Sequence, residues 1–363
     1  MQIKIIIVSS LIFSILSCKN SIPDFIVGYP LNHTSNADPG FVLKIVTKDS
    51  TVYQFQTGVE DVHSKKPIQS SSLFNVGSIS KTFVAYGILT LAKQGKINLT
   101  DSLIKYFPVW KNPELGKKVR IYHLMTHSSG LPDNRPIKKD SIYFLTADDA
   151  QNWAPIMQND SLEFEPGTRF HYSNPAFNAL ALIIQQITGT KWQEYIQQLI
   201  FVPSGMKTST ITDGAHPDHG VSHAYLHIGN TWKEQDYGEE PTFNASGNGG
   251  VWSSVDELYL YEKAIRQNIF ADKEIVHLSR TIYPLSEWKD SKPSQLGLSF
   301  FIDSIAHHPL YGHTGSQGGF TADFVSIPDQ DFFYSIISNV PLDIDATRIK
   351  VLQFAKDHQW IKP

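Results

Sequence analysis

The chain lacks several features that mark common functional classes. It carries one cysteine in 363 residues, Cys18, so no internal disulfide can form and a cysteine-rich zinc site is excluded. Neither Gly-x-Gly-x-x-Gly nor the phosphate-cradling P-loop pattern occurs, which removes the sequence support for a nucleotide or dinucleotide cofactor. Charge is sparse: 18% of residues are charged and the formal net charge is -4, leaving no basic face for nucleic acid. Gly-x-Ser-x-Gly is missing, so a nucleophile elbow of the α/β-hydrolase type has no support. His-Glu-x-x-His is missing as well. His216, His219, His223 and His227 do crowd one segment, but it reads as a loop, and no cysteine or clear carboxylate completes a tetrahedral set. Neither a metal nor any other cofactor is expected.

An apolar run long enough to span a bilayer is also lacking. Lys4 precedes the apolar stretch from Ile5 to Ser17, which falls short of the roughly 18 residues a spanning helix needs. Its length suits the core of an export signal. The stretch ends in Ile15-Leu16-Ser17-Cys18, which resembles a bacterial lipoprotein cleavage box. The expectation is a signal peptide over 1–18, lipidation at Cys18, and a polar tether over 19–37. The mature protein would then sit on the non-cytoplasmic side of a bacterial membrane, in the periplasm or at the cell surface. An ordinary secretory signal with an incidental cysteine is the competing reading.

What is present describes a folded protein: 41% of residues are hydrophobic and 12% aromatic, too many for a disordered chain. Phe41 to Thr47 and Ser50 to Thr57 read as paired strands, rich in β-branched and aromatic residues, with Gly58 following. From Ser78 the chain turns helical and is apolar nearly all round as far as Gly95, the pattern of a central, buried helix. Pro175 to Thr188 carries Phe177, Leu180, Ile184 and Ile187 on one stripe, with Pro175 at the start and Gly189 at the stop. A helix is expected over Ser254 to Arg266, strands over Leu296 to Asp303, Phe320 to Ile327 and Phe332 to Ser338, and a closing helix over Ile344 to His358. Strands at both ends with a Pro- and Gly-punctuated, mostly helical middle predict an α/β protein. Its sheet is assembled from segments 38–95 and 251–363, and 96–250 is a helical insertion.

The chemistry begins at Ser78-Ile-Ser-Lys81. Three residues of helix place a hydroxyl and an amine one turn apart, and an amine among apolar side chains favours its neutral, basic form. The spacing alone proves little. Ser102 with Lys105 and Ser286 with Lys289 repeat it in polar surroundings, and a structural lysine snorkelling to the surface has the same pattern.

Two companions distinguish the Ser78 copy. Tyr172-Ser173-Asn174 stands directly before the Pro175 helix, and His313-Thr314-Gly315 stands just before an expected strand. In this order the three elements resemble the signatures of the penicillin-recognising serine enzymes, a serine β-lactamase-like and penicillin-binding-protein-like family. The Tyr-x-Asn form points to the branch of class C β-lactamases, D-alanyl-D-alanine carboxypeptidases, D-aminopeptidases and esterases. His123 to Leu131, Phe164 to Thr168 and Gly249 to Ser254 also look like family segments, and the resemblance runs from about Phe41 to Phe354.

That resemblance implies a β-lactamase/transpeptidase-like fold, an antiparallel sheet flanked by helices. It implies Ser78 as the acylated nucleophile, Lys81 with Tyr172 as the proton-transfer pair, and Asn174 holding the lysine and the substrate amide. It also implies Thr314 and Gly315 along a strand edge where substrate lies, and an oxyanion hole from the N–H groups of Ser78 and Ser316. His313 stands where β-lactamases usually have lysine, so a fixed cation near the substrate is replaced by a group that is largely neutral at pH 7. The expected function is membrane-anchored hydrolysis of D-amino-acid peptides or peptidoglycan-derived amides through an acyl-enzyme. A carboxylesterase, or a binding protein that does not turn over, are the alternatives. Expected partners are a small peptide, amide or ester and the membrane, without nucleic acid or nucleotide.

Overall fold

The computed structural model describes the chain except for residues 1–21, 30–36, 137–146, 213–216, 218–219, 230, 235–245 and 286–294. The expected signal segment and Cys18, His216 and His219, and the Ser286 to Lys289 pair therefore lie outside the described residues.

Strands β1 (Phe41–Thr47) and β2 (Ser50–Thr57) come from the start of the chain. The short β3 (Phe74–Asn75), β4 (Thr210–Ile211), the hairpin of β5 (Tyr225–Ile228) and β6 (Thr231–Glu234), and β7 (Val251–Ser253) lie between. From the far end come β8 (Gln295–Leu296), β9 (Phe301–Ile305), β10 (His308–Gln317), β11 (Phe320–Ile327) and β12 (Phe332–Ser338). Seven of these form one antiparallel sheet in the order β2-β1-β12-β11-β10-β9-β8. The two chain ends meet where β1 pairs with β12, Phe41 opposite Ser338 and Thr47 opposite Phe332.

Side chains alternate across a strand, and here the alternation feeds two cores. Val42 and Val46 of β1, Phe324 of β11 and Phe333 and Ile337 of β12 face a large cluster built on the helices. Phe41, Leu43 and Ile45, Val325 and Ile327, and Tyr334 and Ile336 face a second cluster closed by the C-terminal helix and by Phe25, Ile26 and Tyr29. With both faces covered, β11 and β12 are buried along their whole lengths.

Six helices matter for the site: α1 (Ser80–Lys93), α2 (Ile121–Met125), α3 (Asp149–Trp153), α4 (Asn174–Thr188), α5 (Val255–Arg266) and α6 (Ile344–Asp357). Helix α1 is buried at every position from Ser80 to Leu91 and stacks Phe83 on Tyr261 of α5 at 4.1 Å between ring centroids. A single 3₁₀ turn, Gly77–Ile79, leads into it, so Ser78 precedes the α-helix proper. Helix α4 stops where Gly189 takes a left-handed φ of 71°, and α5 is capped by Ser254, whose side chain accepts from the Glu257 N–H.

Four expectations need correction. The polar tether expected over 19–37 is in part packed, since Phe25, Ile26 and Tyr29 are buried in the second core. The single strand expected over Leu296 to Asp303 is broken between β8 and β9, because Gly297 N–H bonds back to the Phe300 carbonyl and Ser299 sits at a φ of 79°. His313-Thr314-Gly315 lies inside β10, whose pairing with β11 continues from Tyr311 to Gln317. The middle segment also contains strands: β4 joins β3 and β7 in a small sheet that draws on all three sections of the chain, and β5 and β6 form a hairpin.

The sheet is tied to α6 by a buried charge. Asp323 on β11 is 1% exposed and accepts from the Arg348 guanidinium of α6 through both its Nε, at 2.9 Å, and its Nη2, and from the Tyr334 hydroxyl. Removing the cation leaves an uncompensated carboxylate. Arg348→Ala is expected to lower unfolding stability by about 3–5 kcal/mol, measured by urea denaturation. Joint replacement of Asp323 and Arg348 by apolar residues is expected to cost less.

Candidate active site

The described part of the site is assembled on one wall from the 3₁₀ turn and α1, and on the other from β10. Gly77 holds a φ of 52°, and a Cβ there would lie 2.7 Å from the Ser316 nitrogen. A Cβ on Gly315 would run into the Val76 carbonyl oxygen. Two glycines thus let the backbone before Ser78 press against the backbone before Ser316, which brings together the segments whose N–H groups were expected to form an oxyanion hole. Along β10, pairing with β9 covers only His308 to Gly312. From His313 onward that edge of the strand has no partner strand among the described residues, the arrangement an extended substrate needs to add itself alongside Thr314 and Gly315.

Lys81 does not snorkel. It is 0% exposed, and its Nζ lies 3.0 Å from Ser78 Oγ and donates to the Asn248 main-chain carbonyl at 2.6 Å. Among the described residues no carboxylate pairs with it. The amine sits over the rings of Tyr172 and Phe177, 5.1 and 5.7 Å from their centroids. Burial drives its pKa well below the usual lysine value, and the nearby Arg135 charge pushes the same way. Arg135 is itself fixed, since it chelates Asp133 and donates Nη1 to Asn152 Oδ1 of α3 at 2.6 Å.

Tyr172 lies beside Ser78. Burial raises its pKa and the Ser78 contact only partly offsets this, so the phenol is protonated. Asn174 is the first residue of α4 and Ser173 takes the cap position, without a side-chain cap bond. No hydrogen bond joins Asn174 to Lys81; the amine donates instead to the Asn248 carbonyl of the turn 246–249.

His313 is 1% exposed, and its Nδ1 is 2.6 Å from the Thr314 carbonyl oxygen. A carbonyl only accepts, so Nδ1 carries the proton and Nε2 keeps a lone pair, buried and without a hydrogen-bond partner. Burial, with the charge of Lys81 beside it, lowers the His313 pKa from 6.5 to about 3. The ring is therefore neutral at pH 7.

Sequence reasoning assigned His127 to a structural segment, and the structure places it against Tyr172. Its ring stacks on the tyrosine at 4.2 Å, its Nδ1 accepts from the Ser173 N–H at 3.0 Å, and its carbonyl accepts from His171 N–H at 2.8 Å. One residue thereby grips the tyrosine segment at three points. The Ser102 and Lys105 pair forms no such site. Lys105 is exposed and pairs with Asp101 at 2.8 Å, and the Ser286 pair lies outside the described residues. Among the described residues, no group of His, Cys, Asp and Glu is arranged to hold a metal.

Buried neutral histidines give the protein an acid limit. His313 titrates at about 3 and His123 at about 4, each lowered from 6.5 chiefly by burial, and burial likewise drives His127 well below 6.5. In the unfolded chain each takes up a proton as pH falls through about 6.5, while the folded protein does not, so stability present above that pH is lost below it. The thermal unfolding midpoint is expected to fall steadily from about pH 6.5 toward pH 4, and a His313→Gln variant is expected to show a shallower fall.

A family model described as Beta-lactamase matches residues 33–352. Among curated proteins, the chain is 28% identical over 239 residues to "Penicillin-binding protein 4*" of Bacillus subtilis (strain 168), covering 61% of this chain and 51% of that protein. It is also 28% identical over 315 residues to "Protein flp" of Staphylococcus aureus (strain MW2), covering 83% of this chain and 60% of that protein. The chain thus spans little more than half the length of these curated relatives. Among solved structures, it resembles an octameric penicillin-binding protein homologue from Pyrococcus abyssi with a TM-score of 0.75 at 24% identity, over 88% of this chain and 74% of that one. It also resembles a D-amino acid amidase from Ochrobactrum anthropi SV3, solved with L-phenylalanine, with a TM-score of 0.73 at 19% identity, over 90% and 97% of the two chains. The expected β-lactamase/transpeptidase-like fold is the fold these structures share with it.

Proposed function

Because the chain belongs to the beta-lactamase family, we propose that it is a serine hydrolase that forms an acyl-enzyme on Ser78 and acts on D-amino-acid peptides or related amides. The observation that carries this reading is the buried Lys81, unpaired with any described carboxylate and 3.0 Å from Ser78 Oγ. A lysine in that setting is a base, and a serine beside a base is a nucleophile.

In the proposed cycle Ser78 Oγ attacks the substrate carbonyl carbon and its proton passes to the Lys81 amine. The N–H groups of Ser78 and Ser316 receive the negative charge that builds on the carbonyl oxygen. The C–N bond then breaks, the leaving amine takes a proton through Tyr172 and Lys81, and the acyl group remains on Ser78. Water attacks the ester, gives up a proton along the same route, and releases the acid. Asn174, Thr314 and Gly315 are proposed to hold the substrate.

His313 narrows the substrate. A neutral ring offers no charge to a substrate carboxylate, which favours amides of D-amino acids over β-lactams. The same neutrality admits a carboxylic ester, the second reading. The name of the solved amidase, a D-amino acid amidase, is in keeping with the first.

Intact mass after exposure to a fluorophosphonate, and separately to a penicillin, tests the nucleophile. One phosphonate adduct, absent from Ser78→Ala, is the expected result; labelling that survives in Ser78→Ala would overturn the proposal. Hydrolysis of D-alanyl amides is expected to exceed that of a chromogenic cephalosporin, and a preference for short-chain aryl esters would move the reading to an esterase.

We also propose that Cys18 is lipidated and tethers the enzyme to a bacterial membrane, on the strength of the apolar run and cleavage box before it. Metabolic labelling with an alkyne fatty acid is expected to tag the full-length protein and to miss Cys18→Ser. Equal labelling of the two would dismiss lipidation at this cysteine.

A further inference from the structure

The shortest hydrogen bond of Lys81 runs to a main-chain carbonyl, that of Asn248, at 2.6 Å. That carbonyl belongs to a short turn, 246–249, and what keeps it in place is a line of buried side chains. Asn248 Nδ2 donates to Asn178 Oδ1 at 2.9 Å, and Asn178 Nδ2 donates to Asp149 Oδ1 at 2.6 Å. The same Asp149 oxygen accepts from the Gly247 N–H at 2.9 Å, and the other accepts from Trp192 Nε1 at 2.8 Å. Asn178 and Asn248 are 0% and 1% exposed. The line starts on α3, crosses α4 at the buried Asn178, and ends on the amine.

Chemistry gives that end point a use. A carbonyl oxygen can only accept, so one N–H of Lys81 must point at it. A neutral amine has two N–H bonds and one lone pair. With one N–H held on Asn248 and Ser78 Oγ 3.0 Å away, turning about the Cε–Nζ bond brings the lone pair onto the serine O–H. A carbonyl free to drift would leave the lone pair averaged over several directions. Buried polar chains of this kind give little net stability over well-packed apolar residues, whereas apolar residues could not fix a carbonyl in this position.

We propose that Asp149, Asn178 and Asn248 form a positioning device for the base, holding the Asn248 carbonyl where it aims the Lys81 lone pair at Ser78. This inference rests on the reading of Ser78 and Lys81 as nucleophile and base. The three are positioning residues that act through the lysine. The other groups facing the amine are Tyr172, the Arg135 charge, and His127 and His313, which are neutral at pH 7.

The test is the rate at which a fluorophosphonate modifies the full-length protein, followed by intact mass as a function of pH. The wild type is compared with Asn248→Ala, Asp149→Asn and the double variant. Asn248→Ala is the telling change because the carbonyl itself remains and only its anchor is removed. Asp149→Asn leaves one acceptor oxygen where two serve three donors among the described residues. Rates are taken on the fraction finally labelled, so partial misfolding alters amplitude and not rate. Asn248→Ser, a milder change than either, covers a variant that fails to fold.

The expected result is a high-pH plateau rate lowered roughly tenfold to a hundredfold in each single variant, the scale of a misplaced reacting group. The double variant should be no slower than the slower single one, since both act through one carbonyl. A carbonyl bonds an ammonium more strongly than an amine, so releasing it lowers the lysine pKa further and moves the rising limb to lower pH. Wild-type rates with an unmoved limb, additive losses in the double variant, or a limb moved upward by water entering the site would each overturn the inference. Ser78→Ala and Lys81→Ala separate the two layers. If either is modified as fast as wild type, the underlying assignment fails; if both are inert while Asn248→Ala behaves as wild type, only the positioning device fails.

Discussion

Much of the site follows from one fact: a lysine is fully buried at the start of the central helix and no described carboxylate neutralises it. Placing a charged amine there is costly, so the fold must either supply a counter-charge or accept the neutral form. It supplies two oxygen acceptors and two aromatic faces, and adds a buried arginine that disfavours charge further. Apart from Ser78, these neighbours come from three distant stretches of the chain, at 135, 172–177 and 248. The amine therefore sits in a designed environment only when the whole domain is folded.

The sheet makes that convergence stable. Joining β1 to β12 closes the two chain ends, and alternation across the strands fills one core under α1 and another under α6. A wall buried on both faces leaves β10 little freedom, so the short length of it that lacks a β9 partner is a rigid edge. The glycines at 77 and 315 let that edge meet the turn carrying Ser78 at backbone contact distance. Rigidity of the scaffold and openness of one strand edge are thus parts of the same construction.

Polar groups buried near the amine fall into two sets. His127 grips the Tyr172 segment, while Asp149, Asn178 and Asn248 hold the turn whose carbonyl meets Lys81. Helix α3 serves twice, since Asn152 on it also pins Arg135. A buried polar group without a partner is destabilising, and the links from Asp149 through Asn178 to Asn248 are all made, so that line tolerates little movement. That is the mechanical property a base held 3.0 Å from its serine requires.

Local pattern made the long elements legible. Apolar runs marked β12 and α1, while proline, glycine and serine at the termini marked α4 and α5, because these signals act over a few residues. The three ordered triplets likewise led to Ser78, Lys81, Tyr172 and His313, since residue types at fixed spacing are written in the chain. Strand β10 was illegible: Pro309, Gly312 and Gly315 are poor strand formers, and its conformation is imposed by pairing with β11. The line through Asn178 was illegible too, because its partners at 149 and 248 are distant in sequence. The sequence by itself determined which residues are able to act and where the regular elements run. Only the tertiary structure decided that Lys81 is buried, that its nearest acceptor is the Asn248 carbonyl, and that His313 keeps its proton on Nδ1, because solvation and hydrogen-bond direction depend on what packs around a group in space.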